Sequence, residues 1–271
     1  MTRLILPTIL ALTVASTASA QLVTFDTPND FTNNFTSNGG YTQTTDSGVN
    51  GSGGLTVGGN PTAIYNPGGT FAGFNLAVGQ SITISEFIRP DEDERSSGGF
   101  GAAHTGLFTA NTGAFSDSSA GLGGRLQGAG GADGTLLLAY RNNGGNTAIA
   151  DTNFTLADNT WYKLSTTLQK STTADLWNLS MSVEDWGLTG TAFVSTVKAG
   201  SATGIANNAL YTDTSAFAGF SVRNEGSQPR DFVAADNFQV AVVPEPGTVG
   251  LLLLSSVGVM GLRRRRGVAL K

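Results

Sequence analysis

The sequence predicts an all-β protein, a double-sheet jelly-roll sandwich, on three observations. Between Gln21 and Val242 no window of 11 residues sustains apolar positions at helical spacing, while short alternating runs recur between clusters of Gly, Asn, Asp and Ser. Glycine is abundant, 37 of 271 residues, and only 13% of the chain is charged, unlike a helical bundle or a disordered polyelectrolyte. About 220 residues carrying ten or more short strands, with no Pro-rich linker between them, suit one sandwich better than two small domains.

Each predicted strand has a local reason. Gly54 to Val57 follows a turn-rich stretch. In Ser81 to Ser85 the isoleucines Ile82 and Ile84 alternate with hydroxyls, so one face is buried and the other wet. Phe100 to Ala103 and Thr135 to Arg141 are short apolar runs. In Trp161 to Leu168 the set Tyr162, Leu164 and Leu168 opposes Lys163, Ser165 and Thr167, which leaves Trp161 with the polar set. In Leu176 to Val183, Trp177, Leu179, Met181 and Val183 oppose Asn178, Ser180 and Ser182, so Trp177 belongs to the core. Phe217 to Arg223 and Phe232 to Val242 close the body. The Gly-rich stretches Gly48 to Gly59 and Gly121 to Gly134 lack both a following helix and Gly-Lys-Ser/Thr, so they read as turns and bulges rather than phosphate loops.

Both ends of the chain read as addresses. Met1 to Arg3 are positively charged, Leu4 to Val14 are apolar, and Ala18-Ser19-Ala20 offers small residues at the cleavage positions. Residues 1–20 are therefore expected to be a signal peptide, removed by signal peptidase after the general secretion machinery exports the chain. The mature protein then starts at Gln21. At the other end, Val243-Pro244-Glu245-Pro246 forbids a continuing strand, and Gly247 to Leu262 carries no charge before Arg263, Arg264, Arg265 and Arg266. As a helix that run spans about 24 Å against roughly 30 Å of hydrocarbon, a short but insertable transmembrane helix. The Arg cluster keeps its own side cytoplasmic, so the body of residues 21–242 lies outside.

The order Pro-Glu-Pro, apolar segment, Arg cluster resembles the PEP-CTERM protein-sorting signal of Gram-negative bacteria that make exopolysaccharide. The resemblance covers residues 243–266. It implies recognition by an exosortase, an integral-membrane Cys protease or transpeptidase, with a transient stay in the inner membrane, cutting near Pro244-Glu245-Pro246 and passage to the cell surface or beyond. The reading without a sorting signal is an ordinary single-pass anchor. Asp46 to Leu55, Trp161 to Leu164 and Asp236 to Val240 resemble elements of concanavalin A-like lectin and glucanase sandwiches. That second resemblance implies a jelly roll and contact with carbohydrate.

Composition excludes much chemistry. There is no Cys, hence no disulfide, thiolate metal site or Cys nucleophile, and His104 is the only imidazole. No Gly-x-Ser-x-Gly elbow occurs, and the Glu-x-Asp-x-x-Glu strand motif of the related glucanases is absent. Between Gln21 and Val243 nine Lys or Arg face 19 Asp or Glu, a body that repels phosphate backbones, so no nucleic-acid partner is expected. The run Asp91-Glu92-Asp93-Glu94 is a solvated loop or, in a sharper reading, a calcium loop. A structural calcium between the first and last strands, as several carbohydrate-binding jelly rolls hold, points to Asp26, Asp236 and Asn237; the alternative is that these side chains only cap turns.

Sugar binding requires an exposed aromatic face beside polar groups, which singles out Trp161, Trp186 and Tyr140, each with core packing as its alternative. The expectation is a non-enzymatic, exported cell-surface or matrix protein associated with extracellular polysaccharide. A dedicated carbohydrate-binding module is the alternative, and a glycan-active enzyme, which needs two facing carboxylates in a cleft, is a further one.

Overall fold

The computed structural model describes residues 19–59, 62–66, 73–90, 102–109, 121–128, 135–149, 153–223 and 232–243. The expected signal helix before Ser19, the acidic run Asp91 to Glu94, and the whole tail, with Pro244-Glu245-Pro246, the apolar segment and Arg263 to Arg266, lie outside these residues. Ser19–Val243 form one compact unit.

That unit is a sandwich of two eight-stranded antiparallel sheets. Sheet I runs in the order β14 (Ser195–Ala206), β13 (Leu176–Asp185), β12 (Tyr162–Lys170), β7 (Ser81–Pro90), β16 (Phe232–Val243), β4 (Gly54–Val57) and β3 (Tyr41–Thr44), with β1 (Ser19–Val23) also paired to β16. Sheet II runs β11 (Gly145–Ala148), β10 (Leu136–Asn142), β9 (Gly121–Gly128), β8 (Ala102–Phe108), β15 (Ala216–Arg223), β5 (Thr62–Tyr65) and β2 (Phe35–Ser37), with β6 (Gly73–Phe74) on β15. Among the described residues there are two single-turn helices, α1 (Asp30–Asn34) and α2 (Asn208–Thr212). Helix α2 is capped by Asn207, whose side chain accepts the Leu210 N–H at 2.9 Å.

Strand alternation builds the core. On β12 and β13 the residues Tyr162, Leu164, Leu168, Trp177, Leu179, Met181 and Val183 point between the sheets and are buried. They meet Leu107 of β8, Leu122 and Leu126 of β9, Leu138 of β10 and Phe220 of β15 in one cluster. Phe35 at its centre has Phe238 at 5.1 Å and Phe220 at 5.4 Å between ring centroids, both edge to face, the arrangement that ring quadrupoles favour. A polar contact crosses the layer too: Thr105 on sheet II donates to Thr166 on sheet I at 2.7 Å.

The structure corrects the sequence reading in three places. Gly121 to Gly128, expected to be turns, is β9, a central strand paired on both sides. Its glycines allow close approach: a Cβ on Gly123 would lie 2.5 Å from the Thr105 carbonyl oxygen, and one on Gly124 would collide with Thr166 and Met181 of the opposite sheet. The strand expected at Phe100 to Ala103 continues to Phe108 as β8 (Ala102–Phe108) and is buried along its full length, while Phe100 and Gly101 lie outside the described residues. Edge strand β14 was not anticipated, because its twelve residues are mostly exposed and show no apolar alternation. At the N-terminus, β1 begins at Ser19, with Ser19 and Ala20 paired to Val242 and Ala241, so cleavage before Gln21 would leave Gln21 to Val23 on β16.

Candidate functional site

Sheet I has a base and a tip. At the base Ser81 aligns with Gln169 and Val243, Trp177 with Lys170, and Ser19 with Val242, so both chain ends leave the body there. At the tip Ile88, Tyr162 and Asp185 align, and the chain continues from Asp185 into the loop 186–194. From Ala234 near the tip to Val243 at the base are nine residues of strand, about 30 Å.

The tip has a small apolar cluster of its own on the outward side of sheet I: Val49, Phe87, Trp161 and Ala234, flanked by Trp186 and Val233. Trp161 is therefore on the polar side of its strand, as its phase predicts, yet it is only 1% exposed. The reason is local. The loop after β13 folds back so that Trp161 N–H donates to the Gly187 carbonyl at 3.0 Å and Trp186 N–H to the Trp161 carbonyl at 2.9 Å. The loop around the single 3₁₀ turn Val49–Gly51 joins it, Asn50 N–H donating to the Thr189 carbonyl at 2.7 Å. Arg89 caps the indole, its Cζ 5.3 Å from the ring centroid. Trp161 thus offers no ring face to a ligand.

Trp186 is only half buried. Its ring meets Phe87 edge to face at 5.2 Å and Phe193 at 6.2 Å, Lys163 Nζ sits 5.9 Å from its centroid, and its Nε1–H donates to Glu184 at 3.2 Å. Three large apolar side chains of the same loop face water: Leu188 (73% exposed), Val194 (61%) and Phe193 (54%). Tyr140 is elsewhere, on β10 of sheet II, half buried against the main core. The three aromatics picked out in the sequence are therefore not one platform: Trp161 and Trp186 adjoin, and Tyr140 is separate.

Between tip and base, the outward face of sheet I is a field of hydroxyls. Ser165 pairs across to Ser85 and Ser182, Thr167 to Thr83 and Ser180, and Ser180 to Ser201. The Thr83 and Thr167 hydroxyls bond each other at 2.8 Å. A shallow groove of about 500 Å³ opens here, lined by Ser165, Thr167, Ser180, Ser182 and Ser201, with Ala199 and atoms of Met181 and Gly200 between them. Among the described residues no ionisable side chain lines it. Sequence alone marks these residues only as the wet face of two strands. The signal that could have marked them is their uniformity, since every outward position from 165 to 167 and from 180 to 182 is Ser or Thr.

Asp236 and Asn237 are neighbours on β16, and the charge of Asp26 acts on Asp236. Asn237, at φ 51°, sits in a bulge of β16 where the neighbouring strand changes from β4 to β1. The Asp236 carboxylate is buried beneath the loop at Val49, where it accepts the Val49 N–H at 2.8 Å and the Asn237 N–H at 2.7 Å. Gly48 leaves room for it, since a Cβ there would lie 2.8 Å from Asp236 Oδ2. Burial pushes the Asp236 carboxyl up from 3.8 to about 7, against the two N–H donors and with help from the charge of Asp26. Calcium takes six to eight oxygens. This place offers two carboxylates, one of them already engaged by two N–H groups, and among the described residues no three His, Cys, Asp or Glu side chains converge. Any further ligands here would have to be carbonyls or water.

His104 is packed rather than exposed. It is fully buried on β8, its Nδ1 3.0 Å from the hydroxyl of Ser221, itself buried. Glu86 faces the core from β7, and burial raises its carboxyl well above the usual range. Neither group opens to a cleft.

Comparison with known proteins settles the tail. Residues 242–266 match the PEP-CTERM protein-sorting motif. The chain carries a PEP-CTERM sorting signal. The motif implies export, processing by an exosortase and delivery to the cell surface. No curated protein matches the chain. In backbone the body is similar to the basic winged bean lectin, solved with the Tn-antigen, at a TM-score of 0.51 and 11% identity, over 84% of this chain and 99% of that one. The lectin UEA-II, solved with galactose, follows at 0.49 and 11%, over 83% of this chain and 99% of that one. The lectin from Bauhinia forficata, solved with GalNAc, gives 0.47 and 10%, over 84% and 100%. The body thus has the concanavalin A-like sandwich fold, and identity at this level speaks for fold alone.

Proposed function

We propose that this chain is a non-enzymatic protein of the cell surface or extracellular matrix, whose sandwich engages extracellular polysaccharide once the PEP-CTERM signal has been processed. The observation that carries the reading is the sorting motif at 242–266 behind a folded body. Signal peptidase reads the small residues Ala18 and Ala20 and cuts after Ala20, the apolar segment 247–262 holds the precursor in the inner membrane for a time, and exosortase acts near Pro244-Glu245-Pro246. The net negative body makes nucleic acid a poor partner. A non-catalytic role is supported by the placement of the acid and base groups, with His104 and Glu86 inside the sandwich and Asp236 under the loop at Val49.

Mass spectrometry of the protein recovered from its host tests this. The expected product starts at Gln21, ends near Pro244 and is recovered from the surface or medium. An intact 271-residue chain in the cytosol overturns the reading. The lectin-like alternative is favoured by the fold and by the open hydroxyl groove on sheet I. A structural calcium at Asp26 and Asp236 belongs to either reading as a proposal. Calorimetric titration with millimolar calcium tests it, and the absence of both heat and a change in melting temperature on chelation removes it.

A further inference from the structure

We infer that the ligand of this protein is an uncharged polysaccharide, bound across β12, β13 and β14 in the hydroxyl groove on the outward face of sheet I. The inference rests on the proposed polysaccharide-binding role and specifies its place and chemistry.

Four features support it. First, five of the groove's described lining residues are Ser or Thr and, among the described residues, none is ionisable, so it offers paired donors and acceptors without a charge to be desolvated. Second, Ser165, Ser180, Ser182 and Ser201 project from central stretches of paired strands, so the hydroxyls are held in a fixed array about 4.8 Å apart between strands and about 6.7 Å apart along them. Short side chains on a rigid sheet lose little freedom when a ligand docks. Third, the far side of the depression carries the short outward side chains of Ala199 and Ser201, aligned with Ser182 and Ser180, where larger side chains would fill it. Its volume, about 500 Å³, is within the range of ligand sites. Fourth, the body's acidic excess disfavours polyuronates and other polyanions. The half-buried Trp186 and the exposed Phe193, beyond Glu184 at the tip end of the same face, supply apolar surface for the part of a long chain that leaves the groove. The base, where both chain ends leave the body, is at the other end of this face.

The occupant we commit to is a neutral glycan chain, and a second copy of the protein is the competing occupant. Affinity electrophoresis of the processed protein through gels containing a neutral β-glucan, a neutral α-glucan or a polyuronate separates them, with gel filtration run alongside. At least one neutral polymer is expected to retard the protein, with little or no effect of the polyuronate. The triple variant S165A/S180A/S182A should bind at least tenfold more weakly with an unchanged melting temperature, and Trp186→Ala severalfold more weakly. Binding to the polyuronate alone overturns the proposal, as does full binding by the triple variant. So does a dimer that the triple variant dissociates while no polymer binds, which would assign the groove to a second copy. A monomer that binds none of the three polymers also overturns it. If the termini are processed as expected while neutral polymers fail to bind, this inference falls and the export reading stands.

Discussion

The outward faces of the two sheets are made by the same alternation and have opposite fates. On sheet I the outward residues of β12 and β13, Lys163, Ser165, Thr167, Gln169, Asn178, Ser180, Ser182 and Glu184, all keep contact with water. On sheet II the outward residues of β8, β9 and β15 include His104, Arg125 and Ser221, all buried, and a row of glycines, Gly219, Gly106 and Gly123, paired side by side. Arg141 of β10, aligned with Gly123, is buried as well. A sheet face that is covered selects small residues and polar groups held in place, whereas a face that meets water selects short hydroxyls. The open face is the one that carries the proposed groove.

The contrast has an exception at the tip of sheet I, and this gives the largest expected effect. Trp161 points outward yet is buried, so Trp161→Ala should cost about 3 to 5 kcal/mol in denaturant unfolding, as for a core aromatic. A change below about 1 kcal/mol would show that the loop 186–194 does not cover the ring in solution and would restore Trp161 as a sugar platform. Next in size is Gly123→Val on sheet II. Its Cβ would meet the Thr105 carbonyl oxygen at 2.5 Å and Gly106 Cα at 2.9 Å, and because both obstacles are backbone the cost should reach about 3 kcal/mol. If that variant melts like the wild type, β9 is not packed between β8 and β10, and the covered character of sheet II is lost.

These cases show how much of the molecule is legible in its sequence. Strands β7, β12, β13 and β16 were readable because one side meets water along most of their length, so that apolar and polar residues alternate. Strand β8 is buried along both sides and β9 is half glycine, so neither shows alternation, and glycine composition argued for a turn where close packing of backbones was the reason. The sorting motif was legible in full because its recognition rests on contiguous residues. The candidate site was legible only in parts. Phase put Trp161 on the outward side correctly, but its burial depends on Gly187 and Thr189, more than twenty residues away in sequence, and no local pattern encodes that contact. The hydroxyl groove is likewise assembled from three strands, one of which, β14, has no strand signal of its own.

A pH titration sharpens the same contrast at the tip. The Asp236 carboxyl is at about 7 in the folded protein against 3.8 when unperturbed, so the native state holds a proton that the unfolded chain has released. Its contribution to stability is present in full below pH 3.8 and is lost as pH rises through about 7. Glu86, raised by burial, acts in the same direction. Melting temperature should therefore rise as pH falls from 7 toward 4, with a slope of at most about 1.4 kcal/mol per pH unit for each group. Asp236→Asn should flatten that slope and lower stability at acidic pH, because an amide presents only one acceptor oxygen to the two N–H donors. A slope of the opposite sign at Asp236 would point to a bound cation holding the carboxylate ionised, and would revive the calcium reading on physical grounds.

The smallest effect is expected where the groove itself is altered. Ser182 lies opposite Ser165 on one side and Ala199 on the other, pointing into water. Ser182→Val replaces a hydroxyl by a β-branched side chain that strands tolerate well, and nothing in the core has to move, so unfolding should change by no more than about 0.5 kcal/mol in either direction. The same exchange on the covered face, Ser221→Val, removes the hydroxyl that meets His104 Nδ1 and should cost about 1 to 3 kcal/mol, because a buried ring nitrogen loses its contact. The pair is a direct comparison of two Ser-to-Val changes on outward positions of two sheets. Equal costs would mean that both faces are covered, and a groove that is covered cannot take a polysaccharide. Unequal costs in the expected order would leave sheet I with the free surface, its stability nearly indifferent to the side chains that a ligand would read.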